Sequence, residues 1–188
     1  MTKEQFVVTA AQMRDIETRI FTAGMPVAAL MEKVGGLIFQ RLQTIISPDK
    51  CVGILAGPGH NGGDALVVAR ELYFHGYKVW VYQPFSKLKE LTLQHFQYIE
   101  SLEIPCYQEI NELPNCDFLI DGLFGFGLER EITDSIAAAI NHFNQRNQPI
   151  ISIDIPSGLH TDTGQVLGTA IQANYTLDRK STRLNSSH

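Results

Sequence analysis

Apolar residues recur along this chain with two periods, and their alternation sets out the fold. Cys51-Val52-Gly53-Ile54-Leu55-Ala56, Val79-Trp80-Val81-Tyr82, Phe118-Leu119-Ile120 and Ile150-Ile151-Ser152-Ile153 are short, almost continuous apolar runs, the pattern of strands buried on both faces. Spacings of three and four residues predict helices over 64–74, 88–101 and 132–144. Residues 104–107 and 172–177 read as shorter strands. Two helices come first. Residues 9–21 carry Thr9 as a cap, Gln12 in the reciprocal position of a capping box, and Met13, Ile16 and Ile20 on one face. Residues 26–46 begin with Pro26 in the first turn, and Val27, Leu30, Met31, Val34, Leu37, Ile38, Leu42 and Ile45 form the apolar side. Both helices are expected to cover one face of the sheet. Parallel strands need crossover connections, so the alternation predicts an α/β fold with a mostly parallel sheet covered on both sides.

In such a sheet, ligands bind beyond the carboxyl ends of the strands. Three loops of similar chemistry gather there: Gly57-Pro58-Gly59-His60-Asn61-Gly62-Gly63-Asp64, then 121–127 with Asp121, Gly122, Gly125 and Gly127, then Asp154-Ile155-Pro156-Ser157-Gly158. The first has four glycines in seven residues, which permit positive φ and close backbone approach, and a helix start follows. It reads as a phosphate or anion cradle or, taken alone, as a purely structural tight turn. Its spacing is neither G-x-G-x-x-G nor the Lys-Ser/Thr loop of nucleotide triphosphatases. Asp121 and Asp154 stand where packing gives no reason for charge, although each is also suited to capping a turn. Asp64 is open to both readings. His60 is equally a ligand contact or a spacer. In 125–131, Gly125, Phe126, Gly127, Leu128, Glu129, Arg130 and Glu131 combine open backbone, an apolar ring and a cation. Arg130 there is a phosphate contact or one member of a surface charge cluster.

Asn61, Asp121 and Ser157 offer oxygen ligands only. That set suits a hard cation better than zinc, and one formal charge among three ligands favours a monovalent ion such as K+. There is no Ser-His-Asp arrangement, no glutamate-histidine metal motif and no Cys-x-x-Cys pair.

Composition narrows the picture further. A chain of 188 residues makes one domain, placed over residues 1–178. The formal net charge is −5, and three cations lie in the last ten residues, so the domain is more acidic than the whole. With no basic stripe, nucleic acid is not expected as a partner. No apolar run reaches 18 residues, so no membrane span is expected, and the amino terminus lacks signal-peptide character. A cytoplasmic location follows as an expectation, in line with three cysteines, Cys51, Cys106 and Cys116, that lack metal spacing and are expected to be reduced thiols. Residues 179–188 hold one apolar residue and no alternation, and are expected to be a mobile or non-native tail.

Taken together, Met13-Arg14-Asp15, Leu30-Met31-Glu32, the 57–64 loop, 121–128, 154–158 and Asp162-Thr163-Gly164 resemble the NAD(P)H-hydrate epimerases, the YjeF amino-terminal domain family. The resemblance covers residues 9–177. It implies a Rossmann-like three-layer α/β/α sandwich. It also implies interconversion of the R and S forms of NADHX and NADPHX at C6 of the hydrated nicotinamide ring, so that an S-specific dehydratase, fused in many relatives, can restore the cofactor. It places substrate on His60, Asn61, Gly62, Gly63, Asp64, Gly125, Phe126, Gly127, Leu128, Glu129, Arg130, Glu131 and Asp154, and K+ on Asn61, Asp121 and Ser157. Asp154 is then the expected acid and base, and a homodimer is expected. His60 replaces a commoner asparagine and Ala65 a frequent glycine. The carboxyl end departs from the family after Leu177. A non-catalytic nucleotide-binding or scaffold domain of the same fold is the competing expectation; retention of Asp64, Asp121 and Asp154 argues against it.

Overall fold

The computed structural model describes residues 8–177 and 184–186. In chain order the elements are α1 (Ala10–Thr22), α2 (Val27–Leu42), β1 (Cys51–Ala56), α3 (His60–Phe74), β2 (Lys78–Tyr82), α4 (Glu90–Ser101), β3 (Cys106–Tyr107), β4 (Phe118–Gly122), α5 (Asp134–Gln145), β5 (Ile150–Ile153), β6 (Tyr175–Leu177) and β7 (Leu184–Ser186). The sheet order is β3-β2-β1-β4-β5-β6-β7. Every pairing is parallel except β6 with β7. The chain therefore leaves β1 in both directions, and the reversal between β1 and β4 opens a crevice at their carboxyl ends.

Alternation along the strands divides the core. Val52, Ile54, Val79, Val81, Ile120 and Ile151 face α2, α3 and α4, where Leu42, Leu66, Leu72 and Ile99 are buried. Leu55, Trp80, Tyr82, Leu119 and Ile150 face α5, where Ala139, Ile140 and Phe143 are buried. Gly53 lacks a side chain because Trp80 occupies its space: a Cβ there would lie 2.3 Å from the indole. The predicted capping box of α1 is present. The Gln12 N–H donates to Thr9 Oγ1 at 3.2 Å, and the Thr9 N–H donates to Gln12 Oε1 at 2.8 Å.

Three sequence expectations need correction. First, α2 packs into the core, whereas α1 does not cover the sheet. Ala10 is its one buried residue, and Met13, Glu17 and Phe21 are half-buried. These four residues, spaced by three and four, are its least exposed, while Ile16 and Ile20 are 40% and 39% exposed. Second, α3 starts at His60, with Gly59 as its N-cap, so the second half of the glycine loop is the helix's first turn. Third, none of Gly57, Gly59, Gly62 and Gly63 has positive φ. Gly57 and Gly62 are required for close approach instead: a Cβ on Gly57 would lie 1.6 Å from the Leu123 carbonyl oxygen, and one on Gly62 would lie 1.9 Å from that of Gly57.

Of the segment expected as a tail, residues 184–186 pair antiparallel with β6, and 179–183 and 187–188 lie outside the described residues. Cys51, Cys106 and Cys116 are free thiols. Burial pushes Cys106 and Cys116 up to about 11, which leaves them protonated and unreactive at neutral pH. Among the described residues no helix is long and apolar enough to cross a membrane.

Candidate functional site

A cleft of about 720 Å³ lies over the β1/β4 reversal. Its floor and one wall are Pro58, Gly59, His60 and Asn61, where β1 passes into α3, and 123–130, the loop after β4. The other wall is α1, through Arg14, Glu17 and Phe21, and Lys89 closes one end. Helix geometry leaves the first-turn amides of α3 without i−4 acceptors, so this end of the cleft favours an anionic group. Arg14, Lys89 and Arg130 add cations, and Arg14 is bridged to Glu129 at 3.1 Å. A smaller cavity of about 170 Å³ adjoins the cleft, lined by α1, α2, Phe126 and Asp154. Glu17 and Phe126 belong to both.

Asp154 is built into its place. It ends β5 in the left-handed region, at φ 70, where aspartate is among the few tolerated side chains. The Phe126 N–H donates to its Oδ2 at 3.0 Å. Gly125 leaves it room, since a Cβ there would lie 2.9 Å from Asp154 Oδ2 and 3.3 Å from Asn61 Cγ. Asn61 is 6% exposed, and neither atom of its amide has a hydrogen-bond partner. Leaving a buried amide unmatched costs about 1–3 kcal/mol, which makes Asn61 a candidate ligand for a bound group.

Beneath this floor, Asp121 is fully buried and accepts four hydrogen bonds. Ser157 Oγ and the Leu123 N–H donate to Oδ1 at 2.6 and 3.2 Å, and Ser152 Oγ and the Ser157 N–H donate to Oδ2 at 2.7 and 2.9 Å. The Phe124 N–H in turn donates to Ser157 Oγ at 2.8 Å. Asp121 thus ties the loop after β4 to the loop after β5. Burial raises its pKa above the ordinary carboxylate value, against the lowering by the Ser157, Ser152 and Leu123 donors.

The sequence-derived residues therefore separate by depth. His60, Asn61, Gly125, Phe126, Gly127, Leu128, Glu129 and Arg130 line the cleft, and Asp154 lines the adjoining cavity. Gly62, Gly63 and Asp64 are buried in α3 behind the wall. Asp64 is past the first turn and is not the helix cap. Glu131 turns to a separate depression beside Thr133 and Asp134. Sequence reasoning passed over Arg14, Glu17, Phe21 and Lys89. The signal for Glu17 was present: it is the one charged member of the Ala10, Met13, Glu17, Phe21 face. Nothing local marked Lys89, which reaches the cleft because its N–H donates to the Pro58 carbonyl at 2.9 Å.

Residues 27–178 match the family described as YjeF-related protein N-terminus. The chain belongs to this family. Among relatives of this YjeF-type domain, the Bifunctional NAD(P)H-hydrate repair enzyme Nnr of Thermosynechococcus vestitus is 53% identical over 173 residues, which are 91% of this chain and 34% of that protein. The NAD(P)H-hydrate epimerase of Limosilactobacillus fermentum is 31% identical over 175 residues, 90% of this chain and 83% of that protein. The crystal structure of yeast ynu0 superimposes with a TM-score of 0.82 at 25% identity, covering 92% of this chain and 79% of that one. The chain spans about a third of the length of the bifunctional relatives, of which 34% and 32% are matched.

Proposed function

We propose that this YjeF-type domain epimerises NADHX and NADPHX at C6 of the hydrated nicotinamide ring. The observation that carries the proposal is Asp154, a carboxylate held in the left-handed region and lining the small cavity that adjoins a nucleotide-sized cleft, in a chain whose relatives include NAD(P)H-hydrate epimerases. The hydroxyl at C6 is on a carbon bonded to the ring nitrogen. Protonation of that hydroxyl lets the nitrogen lone pair expel water, and water returning to the opposite face inverts the centre. Asp154 is the proton-transfer group in this reading. The amides at the start of α3, with Arg130 and Lys89, take the diphosphate. Starting from separated R-NADHX, the S epimer is expected to form faster with the protein than without it, in the absence of dehydratase. No acceleration would overturn the reading.

A potassium ion fits the donor set. Asn61 Oδ1 is buried and unpartnered, and all candidate ligands are oxygens. The Ser157 hydroxyl has a second acceptor, the Phe124 carbonyl at 3.1 Å, so turning toward it releases Asp121 Oδ1 for an ion. Asn61, Asp121 and Ser157 would hold the ion, which would offset substrate negative charge and fix the rim. Replacing potassium by tetramethylammonium at constant ionic strength is expected to destabilise the protein by about 1.4 kcal/mol when potassium stands at ten times its dissociation constant. Thermal melts check this, and Asn61→Ala is expected to erase the difference. Equal melts in both salts would remove the ion.

An NAD(P)HX dehydratase is the functional partner in this reading, supported by relatives named bifunctional NAD(P)H-hydrate repair enzymes, of which this chain matches about a third. The family resemblance supports a homodimer, and the free thiols fit a cytoplasmic protein.

A further inference from the structure

The smaller cavity is the place where the epimerase reading can be deepened. Met13, Ile16, Ile20, Leu30, Val34 and Phe126 make its apolar lining, and the two remaining lining residues are Glu17 and Asp154. They reach it from opposite elements: Asp154 from the end of β5, Glu17 from α1. That helix is fastened at both levels of the rim. Asp162 Oδ1 accepts from the Ala10 N–H at 2.7 Å, and Glu129 pairs with Arg14. Its inward face is apolar apart from Glu17, which is half-buried while its neighbours Asp15, Ile16, Thr18 and Arg19 are exposed.

We propose that Glu17 and Asp154 form a two-carboxylate pair acting on opposite faces of the nicotinamide ring seated in this cavity. The inference rests on the epimerase reading. Inversion at C6 needs departure from one face and return on the other, and one carboxylate serves one face. In one direction, the protonated carboxyl on the leaving face gives its proton to the C6 hydroxyl. The C–O bond breaks, water leaves, and the ring nitrogen lone pair forms a C=N+ bond. Water then adds from the other face, its oxygen forms the new C–O bond, the C=N+ pair returns to nitrogen, and the second carboxylate takes the proton. One water leaves and one enters, and one proton moves from the first carboxyl to the second. The reverse epimerisation starts from the protonation state that this leaves behind.

The test compares the wild type with Glu17→Gln, Glu17→Asp and Asp15→Asn, the last on the outward side of the same helix. Glu17→Gln is expected to lower kcat for R to S conversion by about 10²-fold, with affinity for NADPH, read by its fluorescence, within about threefold. Glu17→Asp recovers part of the rate, Asp15→Asn keeps it, and the pH profile of kcat for Glu17→Gln loses one limb. In oxygen-18 water, each wild-type inversion places one solvent oxygen on C6. A Glu17→Gln kcat within about threefold of wild type, a loss confined to affinity, or retention of the original oxygen would each overturn the pair while leaving the epimerase reading standing. Failure of the wild type to accelerate the conversion would overturn both.

Discussion

Asp154→Asn is expected to reduce the rate of R to S conversion of NADHX by about 10² to 10⁴-fold, the range general acid-base groups supply, with little change in fold. Asparagine suits the comparison because it tolerates the left-handed backbone that Asp154 adopts at φ 70 and retains an oxygen to accept from the Phe126 N–H. What it loses is the ability to move a proton. Asp154→Ala removes the same chemistry, but it also places a Cβ-bearing residue without local hydrogen bonding in the left-handed region, at about 1–2 kcal/mol, and frees the Phe126 amide. Chromatographic separation of the epimers gives the rate, and thermal melts separate the two variants. A rate for Asp154→Asn close to wild type would remove Asp154 from proton transfer. A loss shared with a large fall in nucleotide affinity would make it a binding contact.

How much of this was legible beforehand depends on the range over which each feature is determined. The β1 run 51–56 and the Thr9-Gln12 capping box are local, and the structure follows them. The collection of the three loops at one rim follows from strand alternation alone, because parallel connections return every carboxyl end to the same edge. Gly57 and Gly62 looked like residues chosen for unusual φ, yet their conformations are ordinary. Gly62 is required by the nearby Gly57 carbonyl, whereas the requirement at Gly57 comes from Leu123, sixty-six positions beyond it, whose carbonyl leaves no space for a Cβ. No local reading contains that distance.

The face of α1 shows a different limit. Met13, Ile16 and Ile20 do share a face, which lines the smaller cavity together with Glu17, but that face meets the cavity and not the sheet, so Ile16 and Ile20 stay exposed. A helix packed on a sheet is oriented by its most apolar stripe. One laid across a cleft and tied at Asp162 and Glu129 is oriented by its tethers, and polar side chains are then admitted to the inner face. The same reasoning explains Lys89, whose place at the cleft comes from a single backbone bond to Pro58.

Asp121→Ala is expected to cost about 3–5 kcal/mol, since it strips acceptors from several buried donors at about 1–3 kcal/mol each, with part recovered as the Ser157 hydroxyl turns to the Phe124 carbonyl. Against a total stability of about 5–15 kcal/mol, this loosens the rim before it unfolds the sheet: Asp121 ties the loops after β4 and β5 together, and the Phe124–Ser157 and Phe126–Asp154 hydrogen bonds remain. Denaturant unfolding checks the size, and its pH dependence checks the cause. Burial holds the Asp121 pKa above its unfolded value, so the native state binds the proton more readily. The stability that Asp121 contributes is therefore fully present below the unfolded carboxylate value, about 3.9, and declines as pH rises through the folded value. The gap between wild type and Asp121→Ala should accordingly narrow from acid toward neutral pH and then level off, with its remaining size set by the hydrogen bonds. A gap that widens over the same range would mean that the donors from Ser152, Ser157 and Leu123 outweigh burial, and that Asp121 is held as a carboxylate throughout.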